Sequence, residues 1–243
     1  MMFRNIFLLT CVLSLSAVTA NVPSRPSPPR LVNDYAELFT SGQKAYMEQM
    51  LVDFSDSTSN QIVVVTVNDL DGYDISDFAY QIGETWGVGN KKYNNGIVIV
   101  LKPRNETSGE VKISPGYGLE GAIPDATCKD IIENEMIPYL AEGQYYEGLL
   151  EGLSVIMPLA AGEITSDEYA NSGNTPWAGI LVTIFFVGLF VFIVSRKHPP
   201  GSSGTKGSTH RPFIYFPTGG RGFGGFGGFG GGSFGGGGAS GKF

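Results

Sequence analysis

Apolar residues recur along most of the chain with two periods that take turns. From Ser41 to about Asp56, Tyr46, Met47, Met50, Leu51 and Phe54 fall at i, i+3, i+4 spacing, the stripe of an amphipathic helix that Ser41 is placed to cap. "QIVVVTV", residues 61–67, is β-branched almost throughout and too short for a helix, so it reads as a strand buried on both faces. Asp74 opens a second helix to about Trp86, with Ile75, Phe78, Ala79 and Ile82 on its apolar side. "GIVIVLK", residues 96–102, is a second buried strand, and "EVKIS", residues 110–114, a shorter third one. The short polar connection between those two implies antiparallel neighbours. A helix from Asp125 as its cap to about Leu140 follows, bent or ended by Pro138, and another runs from Tyr145 to about Ala160. The order α-β-α-β-β-α-α predicts an α/β fold, a small mixed sheet layered with helices.

The pattern fails outside residues 31–160. Residues 1–20 carry Arg4, an apolar stretch from Ile6 to Val18 and Val18-Thr19-Ala20 as a small-residue cleavage site, the anatomy of a secretory signal peptide. Residues 21–30, "NVPSRPSPPR", form an extended Pro-rich leader, and residues 161–176 a linker. "WAGILVTIFFVGLFVFIV", residues 177–194, has no charge and is followed by Ser195-Arg196-Lys197-His198, so it reads as one bilayer-spanning helix. Basic residues favour the cytoplasmic side. The expected topology is a domain outside the cell or in the periplasm, one span, and residues 195–243 as a cytoplasmic tail. Glycine dominates that tail and isolates Phe223, Phe226, Phe229 and Phe234, a composition that predicts disorder.

Charge follows the same partition. All 23 acids lie in residues 21–176 with nine Lys/Arg, a net of −14, while residues 195–243 carry six Lys/Arg and no acid. So acidic a domain is unsuited to nucleic acid, whose phosphates require clustered positive charge. Beyond the leader the one cysteine is Cys128, which excludes an internal disulfide, and both histidines, His198 and His210, follow the apolar run. A Ser-His-Asp triad, a histidine nucleophile and an H-E-x-x-H zinc site are therefore excluded from the domain. Cys128, Ile131, Ile132 and Met136 recur at helical spacing, which reads as a buried thiol. No catalytic residue is assigned.

"SPGYGLEGAIPD" holds Gly116-x-Gly118-x-x-Gly121 between a strand and a helix. A dinucleotide site would need a parallel strand after that helix, ending in a ribose-binding acid, and here a second helix follows. Glu120 would also repel a pyrophosphate. The glycines read as a structural loop in which backbone passes close to a neighbouring strand.

"VNDYAELFT", "WGVGNKKYNNGIVIVL", "SPGYGLEGAIPDA" and "GQYYEGLLEGL" resemble the successive signatures of the TPM domain over residues 31–160. With the export signal, single span and an ending "GGSFGGGGASGKF", the layout resembles the YgcG-like bacterial membrane proteins. The resemblance implies an α/β/α sandwich and a binding or accessory module for a membrane protein or envelope complex, with the lipid bilayer met through residues 177–194. Divalent cation binding and acid phosphatase activity are associated with the family. Asn95, Glu120 and Asp125 are expected at one end of the sheet; Asp69, Asp71 and Asp74, with Asp34 and Glu37, at the other. Either set offers oxygens suited to Ca²⁺ or Mg²⁺. Members commonly carry Asp-Asn-Gly where this chain has Asn94-Asn95-Gly96, one carboxylate fewer. The other readings are Asp125 as a helix cap, Glu120 as a turn residue and Asp34 as a local backbone acceptor. "VTVNDLDG" raises a metal-assisted phosphatase as the alternative function, since a strand leading to Asp-x-Asp can present a carboxylate nucleophile. Asn68 interrupts that strand before Asp69, and Asp-Gly also forms turns.

Overall fold

A computed structural model of the protein describes residues 22–105, 107–172 and 226–243. The expected signal peptide, the apolar run 177–194 and the tail up to residue 225 lie outside the described residues. Among the described residues no helix is long and apolar enough to cross a membrane.

The fold is α/β, built on one five-stranded mixed sheet. Its strands are β1 (Val32–Asp34), β2 (Gln61–Thr66), β3 (Gly96–Lys102), β4 (Glu110–Pro115) and β5 (Ala239–Lys242), side by side in that order. The pairs β1–β2 and β2–β3 are parallel; β3–β4 and β4–β5 are antiparallel. Val63 pairs Val98, and Ile99 pairs Ile113, so the β-branched runs meet in the middle of the sheet. The residues of β3 are all buried, as continuous apolar strands covered on both faces must be.

Helix α1 (Ser41–Thr58) lies along β1 and β2. Its cap is Thr40, one residue before the expected Ser41, in a reciprocal capping box with Gln43. The Glu48 carboxylate on α1 accepts the backbone N–H groups of Leu31 and Val32 and holds β1 in place. Helix α2 (Ile75–Trp86) is capped by Asp74, ends on left-handed Gly87, and packs on β3 and β4. The helix expected over 125–140 is divided into α3 (Asp125–Ile131), a π-helical turn (Ile132–Met136) and α4 (Ile137–Leu140). Pro138 supplies no N–H, and a widened turn just before it takes up the break. Helix α5 (Tyr145–Ala161) packs on α1, on α4 and on the π turn, with Gly148 against Leu140 and Gly152 against Met136. A last helix, α6 (Ser166–Ser172), falls inside the expected linker; Tyr169 on it donates to Glu135.

Two strands escape the periodicity. "VND" is three residues long, too short for alternation to register, and is held by β2 and Glu48. Strand β5 belongs to the Gly/Phe tail. The expectation of a disordered tail is overturned for residues 226–243: without them β4 would be a bare sheet edge, and backbone pairing along that edge orders a segment with little core of its own.

Candidate functional site

The acids of the two sheet ends have different partners. Asp34, its side chain fully buried, accepts from the N–H groups of Leu38 (2.9 Å) and Phe39 (3.1 Å) and from the Thr66 hydroxyl (2.6 Å), with Lys44 Nζ at 3.6 Å. It ties the loop after β1 to the end of β2. Glu37 in that loop is exposed and left-handed (φ 54°). Asp69 accepts the N–H of left-handed Asp71 (2.9 Å), and Asp74 that of Ser76 (2.8 Å). These are turn and cap contacts within one loop.

At the other end, Asn95 is buried. Its Oδ1 accepts from Asn90 N (3.0 Å), and its Nδ2 donates to Ser59 O (2.8 Å) and Asn60 Oδ1 (3.0 Å). Asn60 in turn donates to Ala160 O (2.7 Å), so this network knits the start of β3 to the ends of α1 and α5. Asp125 is exposed and is not the cap of α3, which is Pro124 without a side-chain bond. Its Oδ1 instead accepts the N–H of Gly238 at 2.6 Å. Glu120 Oε1 lies along the same stretch: a Cβ on Gly235 would be 2.9 Å from it and one on Gly237 3.4 Å. Glu120 and Asp125 thus face residues 235–238 together, while Asn95 is turned to the interior. Among the described residues no three His, Cys, Asp or Glu side chains gather so as to hold a metal ion. Calcium takes 6–8 oxygens, and two carboxylates, one already bonded to an amide, do not supply such a shell.

The glycine loop brings backbones together. Gly116 N donates to Gly96 O (2.7 Å) and Gly118 N to Asn94 O (3.0 Å); a Cβ at Gly116 would meet Asn94 O at 2.6 Å, and one at Gly118 would overlap the Tyr93 carbonyl. Nothing lies within 4 Å of a Cβ at Gly121.

From this end residues 226–243 run as a strap along β4 to the other end of the sheet. Phe229 packs on Trp86 (ring centroids 6.0 Å), on Phe226 (5.0 Å) and under the Arg25 guanidinium (5.0 Å). Gly230 N donates to Gly89 O (2.9 Å), Gly231 N to Gly87 O (2.8 Å) and Ser233 N to Asn94 Oδ1 (3.1 Å). Phe234 N donates to Glu84 Oε1 (2.6 Å), and its ring, 2% exposed, fills the space over Gly83 of α2. Ser114 donates to Gly237 O, and β5 then pairs with β4. Phe243 exchanges both backbone bonds with Gly109 (3.0 and 3.1 Å), accepts from Arg104 Nε (3.2 Å), and lays its ring over Gly109.

Two buried titratable groups lie beneath the strap. Burial lowers the pKa of Lys112 on β4, opposed by Cys128, Asp125 and Asp74. Burial, then the charge of Asp125, pushes the Cys128 thiol up to about 12, so it carries no nucleophilic thiolate at neutral pH.

The residues that make the seat, Gly83, Glu84, Arg104 and Gly109, escaped sequence reasoning. A trace was present: Gly83 stands inside an otherwise sound amphipathic helix, where glycine costs about 1 kcal/mol relative to alanine and calls for a packing reason.

A sheet with β1 to β3 parallel and β4 antiparallel, its helices and its glycine loop define an α/β module of the kind described as the TPM domain. The profile of that family matches residues 32–158, and the chain belongs to it. The N-terminal domain of a Porphyromonas gingivalis protein, solved in solution, is similar at 33% identity over 59% of this chain and 94% of that one, with a TM-score of 0.51. The N-terminal domain of a Corynebacterium glutamicum protein is 20% identical over 56% and 81%, with a TM-score of 0.42. No curated protein matches significantly.

Proposed function

We propose that this is an exported, membrane-anchored TPM protein whose domain works as a binding and accessory module within a membrane-protein or envelope complex. The observation that carries the reading is the strap: β4 and the glycine loop receive an extended segment through backbone hydrogen bonds and ring-sized recesses, the mode of strand-addition modules. The apolar runs at 1–20 and 177–194 support export and anchoring. Strands β4 and β5 cannot pair in one chain with the bilayer between them. In this proposal residues 177–194 therefore anchor the chain without carrying residues 226–243 across, and both the single full span and the cytoplasmic placement of the Gly/Phe segment are given up.

The alternative is a metal-assisted phosphatase using Asp69 and Asp71. The full chain, incubated with p-nitrophenyl phosphate and Mg²⁺, Ca²⁺ or Mn²⁺, is expected to show no turnover above a heat-killed control. Turnover abolished by Asp71→Asn would overturn the binding-module reading.

A further inference from the structure

The recesses and close approaches along the strap spell a recognition pattern. On the domain, Gly83 and Gly109 leave the spaces that Phe234 and Phe243 fill: a Cβ at Gly83 would be 2.6 Å from Phe234 Cδ2, and one at Gly109 would overlap the Phe243 ring. On the segment, three glycines lie where a side chain would strike domain backbone. A Cβ at Gly230 would be 2.7 Å from Gly89 O; at Gly232 it would overlap the Val88 carbonyl, and at Gly238 that of Ile113. Holes on one side therefore match rings on the other, and glycines on the segment match ridges on the domain. Rings at 229, 234 and 243 with glycine at 230, 232 and 238 are what this surface selects; between them Gly231 and Gly236 take left-handed φ, and a Cβ at Gly235 or Gly241 would press on Tyr117 or Ile132.

We propose that this groove is a peptide-recognition site for an extended glycine-rich strand of that pattern, and that residues 226–243 of the same chain are its resident, displaceable ligand. The proposal rests on the binding-module reading and adds the identity of the ligand. Displaceability follows from composition. Each glycine loses more backbone freedom on docking than any other residue, while apolar burial is confined to a few phenylalanines, so occupancy depends on tethering. A tether raises the local concentration of the segment without strengthening any contact. A protein that presents the same pattern in trans at sufficient concentration exchanges with it and takes its place on β4 beside Glu120 and Asp125.

The test uses the full chain in its native membrane with Cys11→Ser, Glu110→Cys and Lys242→Cys. Because Gly109 and Phe243 exchange both backbone bonds, Glu110 and Lys242 form the adjacent non-hydrogen-bonded pair, whose Cα separation of about 4.5 Å suits a disulfide. We expect a disulfide within the monomer under mild oxidation. Its formation also requires both strands in one compartment. Pre-incubation with excess synthetic peptide of residues 226–243 should lower the yield several-fold, and the peptide carrying Phe234→Ala and Phe243→Ala should not. No disulfide, a disulfide only between copies, or a yield that the wild-type peptide leaves unchanged would each overturn the proposal. A disulfide whose yield the peptide leaves unchanged overturns this proposal alone and leaves in place the docked strap that carries the binding-module reading, whereas absence of any disulfide within the monomer fails both.

Discussion

The two ends of the sheet both carry acids and put them to opposite uses. Around Asp34, Asp69, Asp71 and Asp74, each carboxylate that is engaged accepts from an N–H a few residues along its own chain, and Asp34 adds the Thr66 hydroxyl of the adjoining β2. Around Glu120 and Asp125, the N–H that is met belongs to Gly238, more than a hundred residues away in sequence. Acidic composition alone thus does not mark a site. An acid engaged by its own loop stabilises the fold, whereas one facing backbone from a distant segment contributes to recognition, and only the second use can be vacated without unfolding the domain.

The largest expected effect breaks the first end. Asp34→Ala removes a buried acceptor shared by two backbone N–H groups and the Thr66 hydroxyl, and leaves those donors in a largely enclosed site. A loss of about 3 kcal/mol or more is expected in denaturant unfolding. Asp125→Ala, which strands one N–H of an exposed strap, should cost about 1 kcal/mol. Equal losses would erase the distinction between the ends.

A smaller effect sharpens it beneath the strap. Because burial lowers the pKa of Lys112, the folded chain binds that proton less tightly than the unfolded one. The penalty is complete below the folded value and fades as pH rises towards the ordinary 10.5. Lys112→Met should therefore stabilise by about 1 kcal/mol at pH 7, with the gain shrinking as the pH approaches 10. A gain independent of pH would mean that packing, and not the buried charge, is responsible.

Local pattern carried most of the domain. The β-branched runs at 61–67 and 96–102 and the stripes of α1 and α2 state their periods without help from the tertiary structure, and Asp74 caps α2 as its position suggests. What could not be read locally depended on partners. Strand β1 is too short to show a period and exists because β2 and Glu48 hold it. Strand β5 has a composition that signals disorder in isolation, and β4 supplies the order. Asp125 looked like a cap because an acid opens the helix, yet Pro124 holds that position and the carboxylate turns to Gly238. The site was legible as a glycine loop with two acids beside it; the opposing surface was not, since spacing in sequence says nothing of a segment that returns from far along the chain.

The smallest expected effect is also the one whose sign decides between structure and recognition at Gly83. Within α2, alanine is a better helix former than glycine by about 1 kcal/mol. On helix propensity alone, Gly83→Ala should stabilise. In the full chain the added methyl would be 2.6 Å from Phe234 Cδ2, closer than carbon atoms pack, so the ring must leave its recess or the helix must shift. Four proteins separate the two contributions: the full chain and a chain ending at residue 225, each with and without Gly83→Ala. Denaturant unfolding should show the substitution stabilising the shortened chain by about 0.5 to 1 kcal/mol and giving no gain, or a loss, in the full chain. If alanine stabilises both equally, Phe234 does not occupy the space above Gly83, and the second end of the sheet is as self-contained as the first.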